Sequence, residues 1–249
     1  MTAPHFFVWD ETLQPGLSIL LAEEDTHHAS RVLRLREGEE ITIADDRGAV
    51  ADAHVIGFPD RRVLALVDAV RRVPRAQPLV HVVLAPPKGD RLTWAVQKTT
   101  EVGADAISLM ACERGVRDWP TPDRSERTHL RLSRVARESS MQARRAFLMQ
   151  VGWFEDLREM LSTFDRFTGD RIVMLHESAS ARLSHVSWDV LPRMVVLLIG
   201  PEGGFSPSEV DLAGSIGASI VSLGPPVLPT ETAAVVGAAL ALARYGRLG

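Results

Sequence analysis

The sequence predicts an α/β protein in which a small β-barrel precedes a mostly parallel sheet with helices on both faces. Residues 1–72 consist mainly of short β-branched or alternating runs separated by turn residues, as in small barrels. From Leu79 onward, strand-like apolar runs alternate with helix-like stretches, which is typical of a parallel sheet. Two glycine- and proline-rich loops in the last quarter of the chain each follow a strand-like run and precede a helix-like one.

The amino-terminal domain is predicted over residues 1–72, and a linker over residues 73–78, where prolines interrupt any apolar period. The predicted strands of this domain are Ser18–Ala22, Glu40–Ala44, Ala49–Ile56 and Val63–Val70. A helix-like insert, Glu24–Leu35, lies among them.

Residues 79–249 are predicted to form the second domain. Its predicted strands are Leu79–Ala85, Ala106–Met110, Leu148–Val151, Ile172–Leu175, Met194–Ile199 and Ser219–Leu223. Its predicted helices are Leu92–Val102, Arg124–Ala143, Phe154–Thr163, Pro207–Ile216 and Thr230–Tyr245. Ser206, with a proline after it and Glu209 three residues on, predicts a capped helix start, and Thr230 is predicted to cap the last helix in the same way.

The composition is that of a globular protein, with 45% hydrophobic and 24% charged residues among 249. The single Cys112 excludes an internal disulfide and a cysteine-based zinc cluster, and no other metal-ligand spacing is apparent. No signal peptide or membrane span is evident, so we expect a cytoplasmic protein.

The net charge of −4 argues weakly against a nucleic-acid partner, but the arginines are concentrated locally. Seven of them lie between Arg124 and Arg145, and a smaller cluster comprises Arg31, Arg34 and Arg36. Within the longer run, residues 127, 131, 134 and 137 are spaced to form a stripe along one side of a helix. Such a stripe suits contact with an RNA backbone, and a solvated helix face is the alternative.

The two loops, Leu197–Phe205 and Leu223–Ala233, are predicted at the carboxyl ends of strands, where open α/β sheets bind ligands. The first loop lacks the Gly-Lys-Ser/Thr ending of a phosphate loop, and no G-x-G-x-x-G opens a helix after Leu79–Leu84. A nucleoside triphosphate or a dinucleotide is therefore disfavoured. Glycines at these positions allow a ligand to approach the main chain closely, and two plain tight turns are the alternative.

Several segments of the chain match one known family in type and order. They are Lys88-Gly89-Asp90-Arg91, Gln97-Lys98-Thr99-Thr100-Glu101-Val102-Gly103, Glu113-Arg114, the Glu138…Gln142 pair, Leu198-Ile199-Gly200-Pro201-Glu202-Gly203-Gly204, Leu223-Gly224-Pro225 and Leu228-Pro229-Thr230-Glu231-Thr232-Ala233. Together they resemble the RsmE family of ribosomal RNA methyltransferases, members of the knotted SPOUT superfamily. At the amino terminus, His27-His28 with Arg31-Val32-Leu33-Arg34-Leu35 resembles the family's RNA-binding PUA-like barrel.

This resemblance implies a homodimeric enzyme that transfers a methyl group from S-adenosylmethionine to N3 of a uridine in small-subunit (16S) ribosomal RNA. It also implies a trefoil knot at the carboxyl end, which no periodicity in the sequence indicates. The residues expected at the cofactor are Leu175, His176, Leu198, Ile199, Gly200, Pro201, Glu202, Gly203, Gly204, Leu223, Gly224, Leu228, Pro229, Thr230, Thr232 and Ala233.

Removal of the N3 proton of uridine calls for a carboxylate or a polarising cation near the base. The candidates are Glu202, Glu231 and Arg114, although Glu231 also suits a helix amino terminus and Arg114 a surface ion pair. The residues expected to contact RNA are Arg31, Arg34, Lys88, Arg91, Lys98, Arg131, Arg134, Arg137, Arg144 and Arg145.

Two departures from the family pattern leave other functions open. Pro229 stands where the family usually has an arginine, whose contribution Arg114 is a candidate to supply. The stretch after Gln142 lacks the usual glycine of its turn. The alternatives are a knotted methyltransferase acting on another RNA, such as a tRNA ribose 2′-hydroxyl, and a ribosome-assembly factor that binds RNA without catalysis.

Overall fold

The computed structural model describes residues 3–9, 11–27, 35–115, 122–164, 169–186 and 190–249. The chain divides into two compact units, of which the first runs to Arg75 and also takes in Ser140–Leu148. The second unit comprises Ala76–Ser139 and Met149–Gly249. The predicted boundaries placed residues 140–148 in the second domain. The division falls within the helix that ends at Gln142. Because the helical pattern of the sequence continues across that point, the sequence gives no sign of the division.

The first unit contains a curled five-stranded sheet in the order β1-β3-β4-β5-β2. The elements are β1 (His5–Phe7), β2 (Ser18–Leu20), α1 (Glu23–His27), β3 (Glu40–Ala44), β4 (Ala49–Gly57) and β5 (Leu64–Arg72). The β1–β3 pair is parallel and the other pairs are antiparallel. Register shifts in the β4–β5 pair, at Asp52/Ala53 and Val55/Gly57, mark bulges of the kind that curl a sheet. Strand β1 was not predicted, because three residues are too few to show alternation.

The second unit contains a six-stranded sheet in the order β11-β9-β10-β6-β7-β8, with every adjacent pair parallel. Its strands are β6 (Leu79–Leu84), β7 (Ala106–Met110), β8 (Gln150–Phe154), β9 (Asp170–Leu175), β10 (Met194–Ile199) and β11 (Ser219–Val221). Its helices are α2 (Arg91–Val102), α3 (Pro122–Gln142), α4 (Leu157–Thr163), α5 (Pro207–Ser215) and α6 (Thr230–Arg244). The predicted alternation of strand and helix is confirmed.

The sheet of the second unit is buried on both faces, which explains why its central strands read as continuous apolar runs. In β10, Leu197 and Ile199 pack in the core on one face, whereas Val196 and Leu198 pack in the core on the other. No helix among the described residues is long and apolar enough to cross a bilayer.

Helix α6 packs against β6, β10 and α2 through small residues. Ala234, Gly237 and Ala238 lie on its buried side. A Cβ atom on Gly237 would lie 3.1 Å from Cδ1 of Leu175, closer than nearly all real contacts of this type. The helix therefore lies as near to the sheet as it does because residue 237 has no side chain. This close packing fixes the start of α6 beside the ends of the strands.

Candidate functional site

A cavity of about 380 Å³ opens where β9, β10 and β11 end. It is lined by Arg91, Leu175, His176, Glu177, Ile199, Gly200, Pro201, Glu202, Gly204, Phe205, Leu223, Gly224, Pro226, Val227, Leu228, Pro229, Thr230 and Ala233. Both predicted loops contribute to this lining, so the structure brings them together. The volume lies within the range of small-molecule sites.

One wall of the cavity is apolar. Leu175 ends β9, Ile199 ends β10, and Ala233 lies in the first turn of α6. Leu223 and Leu228, from the second loop, pack against the core beneath them. The wall suits a flat, weakly polar group such as a heterocyclic base.

Two glycines shape the first loop. At Gly200 little space is left for a side chain, and at Gly204 the backbone has a conformation that other residues rarely adopt. A Cβ atom on Gly200 would lie 3.1 Å from the ring of Phe205. Gly204 has a φ of 68°, in the left-handed region that favours glycine. Its N–H donates to the carbonyl oxygen of Pro201 over 2.8 Å and closes the turn. Ser206 and Glu209 then form the predicted capping box at the start of α5.

The two loops are joined by a hydrogen bond from a residue predicted to do something else. Pro229, and not Thr230, is the N-cap of α6, and no side chain caps that helix. The hydroxyl of Thr230 instead donates to the carbonyl oxygen of Gly200 over 3.0 Å. Thr230 itself is buried, and this partly buried bond links the start of α6 to the glycine loop. The prediction that Thr230 caps the helix is wrong, because its hydroxyl bonds across to the neighbouring strand end.

Arg114 lies behind the first loop and is absent from the cavity lining. Its Nη1 donates to the carbonyl oxygens of Gly203 and Phe205 over 3.3 and 3.4 Å. A Cβ atom on Gly203 would lie 3.3 Å from that of Arg114, so the glycine admits the arginine side chain. In the described structure Arg114 supports the loop and does not face the cavity.

Hydrogen bonds of Glu113 and Glu209 connect the residues just before Arg114 to the start of α5. The Glu113 N–H donates to Glu209 over 3.0 Å, and Ser208 donates to the Glu113 carboxylate over 3.0 Å. Hydrogen bonds from the serines of this turn lower the pKa of the Glu113 carboxyl. Burial, more than the neighbouring Glu209, raises the pKa of the Cys112 thiol far above its usual range, so it stays protonated.

Arg91 is the one arginine among the described residues that line the cavity. It also lines an adjoining pocket of about 370 Å³ with Asp90, Trp94, Glu231 and Thr232. Its Nε lies 3.7 Å from Oε1 of Glu231. Oε2 of Glu231 is buried and has no hydrogen-bond partner among the described residues. Glu231 therefore faces Arg91 and the adjoining pocket, not the main cavity.

Two carboxylates line the main cavity without a described partner. Glu202 was predicted from the loop motif, and Glu177 was not predicted. Both are exposed, and neither makes a hydrogen bond or ion pair with any residue that the structure describes. The available signal for Glu177 was its place two residues after the carboxyl end of β9. His176, also in the lining, accepts a hydrogen bond at Nδ1 from the N–H of Ser178 over 3.2 Å.

Three residues predicted to bind the cofactor lie outside the cavity lining. Leu198 points to the opposite face of the sheet from Ile199, because side chains alternate along a strand. Gly203 faces Arg114, and Thr232 lies in the adjoining pocket. A motif written as consecutive residues cannot distinguish these positions from those that face the cavity.

The predicted arginine stripe lies on the outer side of α3. Arg127, Arg131 and Arg134 are exposed, and Arg137 is half-buried at the edge of the stripe. Leu132 and Ala136, on the other side of the helix, are buried in the core of the second unit.

Arg144 and Arg145 belong to the first unit, where the side chain of each donates a hydrogen bond to a backbone carbonyl oxygen. Arg144 donates to the carbonyl oxygen of Ala3, and Nε of Arg145 donates to that of Phe147 over 3.1 Å. Lys88 is exposed before α2, and Lys98 forms an ion pair of 2.8 Å with Glu101. His28, Arg31 and Arg34, which belong to the segment that resembles the PUA-like barrel, lie outside the described residues.

Comparisons with known proteins follow the division into two units. Residues 75–242 match the model of an RNA methyltransferase domain, and residues 21–68 match that of an RNA methyltransferase PUA domain. The ribosomal RNA small subunit methyltransferase E of Mycobacterium bovis is 32% identical over 243 residues, which cover 95% of this chain and 90% of that protein. The protein of the same name from Bacillus subtilis is 30% identical, covering 90% of this chain and 89% of that one.

Solved structures share the fold over nearly the whole chain. A methyltransferase of Legionella pneumophila, solved in complex with bound S-adenosylmethionine, superposes with a TM-score of 0.86 at 26% identity and covers 98% of each chain. The ribosomal RNA small subunit methyltransferase E of Neisseria gonorrhoeae gives the same TM-score at 24% identity. The predicted architecture, a PUA-like unit followed by a mostly parallel sheet with helices, is confirmed.

Replacement of Thr230 by valine tests the bond between the loops. Thr230→Val keeps the shape of the side chain but leaves the Gly200 carbonyl without its buried donor. We expect the free energy of unfolding, measured with urea, to fall by about 1–2 kcal/mol. Thr230→Ser, which keeps the hydroxyl, should lose less. A Thr230→Val protein as stable as the wild type would show that the bond contributes nothing.

Proposed function

The chain belongs to the RsmE family of ribosomal RNA small subunit methyltransferases, and on that premise we propose that it methylates N3 of a uridine in 16S ribosomal RNA. S-adenosylmethionine is the proposed methyl donor. The observation that carries the proposal is the cavity formed by the two loops at the ends of β9, β10 and β11. Ligands of open α/β sheets bind at this edge of the sheet.

The residues of the cavity fit S-adenosylmethionine. Leu175, Leu223 and Leu228 offer an apolar wall to the adenine. Glu177 and Glu202 offer negative charge to a ligand with a sulfonium and an ammonium group. When bound, the cofactor supplies a methyl group already activated for transfer. What remains for the protein is to exclude water, to orient the acceptor nitrogen and to receive its proton.

Glu202 is the proposed proton acceptor. The N3 proton of uridine has to leave as the new nitrogen–carbon bond forms, and Glu202 lies in the cavity lining without a described partner. Glu231 is the proposed positioning residue, because it holds Arg91 at the junction of the two pockets. From there the Arg91 guanidinium is suited to stabilise negative charge that develops on the uracil carbonyls. Arg91, and not Arg114, then takes over the role of the arginine that Pro229 replaces.

The RNA is proposed to bind through both units. In the second, the exposed arginines of α3 offer a line of positive charge to the phosphates. In the first, the match to an RNA methyltransferase PUA domain supports an RNA-binding role. With a 16S ribosomal RNA substrate, the protein is proposed to act in the cytoplasm.

A trefoil knot at the carboxyl end is part of the same proposal. It is supported by contacts between the segment after β9 and the chain after β11. The N–H of Ser222 donates to Ala181 and that of Leu183 donates to Ser222, over 2.8 and 3.0 Å. Helix α6, which follows, packs on residues 183–185.

A homodimer is proposed through the outer face of α6. This face is apolar for a solvent-exposed helix: Leu240 is 38% exposed and Ala243 is exposed, with Val236 and Ala239 half-buried beside them. On the neighbouring α2, Trp94 is 42% exposed. Apolar side chains exposed together in this way are typical of an interface between subunits.

Nucleoside analysis of ribosomal RNA tests the proposed reaction. In 16S RNA from cells that lack the gene, we expect N3-methyluridine to disappear from one position, and the purified protein with S-adenosylmethionine should restore it. Methylation of a ribose hydroxyl or of tRNA would favour the alternative of a knotted methyltransferase that acts on another RNA. Absence of any methylation, with no binding of S-adenosylmethionine by calorimetry even when RNA is present, would favour an assembly factor.

Removal of the exposed arginines of α3 tests the RNA surface. For the variant Arg127→Ala/Arg131→Ala/Arg134→Ala, we expect weaker binding to 16S RNA and a salt dependence lower by about 2–3 ions, since each phosphate contact contributes about 0.7–0.9. Arg158→Ala, which removes an exposed arginine from α4, is the control. An unchanged affinity and salt dependence in the triple variant would remove this surface from the proposal.

Charge placed on the outer face of α6 tests the dimer. Leu240→Arg should shift the protein from dimer to monomer in sedimentation velocity, because a buried unpaired guanidinium costs several kcal/mol. The control is Leu248→Arg, a similarly exposed leucine beyond the end of the helix. A monomeric wild-type protein, or a dimer unaffected by Leu240→Arg, would contradict the proposed interface.

A further inference from the structure

The main cavity has an excess of negative charge. The ionisable side chains in its lining, apart from His176, are two carboxylates, Glu177 and Glu202, and one guanidinium, Arg91. The guanidinium is already paired on its other side with Glu231, at 3.7 Å. No other lysine or arginine lines the cavity in the described part of the chain. A ligand that binds here is therefore in a field that favours positive charge.

Glu177 is one of the two carboxylates that produce this field. Its two carboxylate oxygens lie 3.7 and 3.8 Å from the position that a Cβ atom on Gly204 would occupy. The carboxylate therefore lies against the glycine loop. With no described cation beside it, its charge is not neutralised within the protein.

We propose that Glu177 makes the site selective for the charged cofactor over the product. This inference rests on the proposed function. S-adenosylmethionine carries a positive sulfonium, and S-adenosylhomocysteine, left when the methyl group has gone to the uridine nitrogen, carries a neutral thioether. The carboxylate attracts the sulfonium of the first compound, whereas the second keeps only the ammonium group that both compounds share. Glu177 is a specificity-determining residue, and loss of the sulfonium charge promotes release of the product.

The size of the effect follows from Coulomb's law. Two unit charges a few ångströms apart in a water-like environment attract each other enough to change an affinity by about fivefold. The attraction is screened by salt, because Glu177 is exposed. Selectivity that arises in this way is therefore larger at low ionic strength than at high ionic strength.

Calorimetric titration of the full-length protein with each of the two compounds tests the proposal. For Glu177→Gln we expect the affinity for S-adenosylmethionine to fall by about fivefold at low salt, while that for S-adenosylhomocysteine changes less than twofold. Glu177→Asp keeps the charge and should keep most of the selectivity. Asp211→Asn, which removes one exposed carboxylate from α5 outside the cavity, is the matched control and should behave as wild type. Urea unfolding of each variant confirms that it is folded.

The outcomes separate this inference from the proposed function. If Glu177→Gln weakens the binding of both compounds equally, the carboxylate interacts with a part that they share, such as the ammonium group or the ribose, and selection by the sulfonium charge is overturned. If the ratio of the two affinities in the wild type does not decline with added salt, it is also overturned. If the wild-type protein binds neither compound, even with RNA present, the proposed function itself fails.

Discussion

The site depends on the close packing of α6 against the sheet. At Gly237 the helix lies so near Leu175 that a Cβ atom would be only 3.1 Å from the leucine Cδ1. At the start of the same helix, the hydroxyl of Thr230 donates to the carbonyl oxygen of Gly200. The two loops thereby become the sides of one cavity instead of separate turns. A larger residue at position 237 would be expected to disturb the cavity as well as the core.

Positive charge in this protein has two distinct uses. Arg114, Arg144 and Arg145 donate to backbone carbonyl oxygens and support local structure. Arg127, Arg131 and Arg134 are exposed on the outer face of α3, where Arg131 also donates to the hydroxyl of Thr93, and they form the surface proposed to bind RNA. A guanidinium suits both tasks, because its several N–H donors match carbonyl and phosphate oxygens alike. For this reason a count of arginines in a segment overstates the surface available to RNA.

In the proposed function, Arg91 compensates for the departure of position 229 from the family motif. Pro229 begins α6 with its carbonyl accepting from Ala233, and it offers no charge to the cavity. Arg91 reaches the cavity from another helix, held there by the carboxylate of Glu231. The charge is supplied from a position more than a hundred residues away in the sequence, so the substitution at 229 does not leave the site without a cation.

The sequence by itself determined the strands and helices of the second unit, the capped start at Ser206 and the meeting of both glycine loops at one sheet edge. These follow from local patterns: apolar runs, turn residues and the direction of parallel strands. Only the tertiary structure decided that Leu198 points to the opposite face of the sheet from the cavity and that Arg114 supports the first loop from behind. It also decided that Thr230 bonds to Gly200 and that Glu177 lines the cavity. Each depends on which side chain points where across elements distant in the chain, and a linear motif does not record that direction.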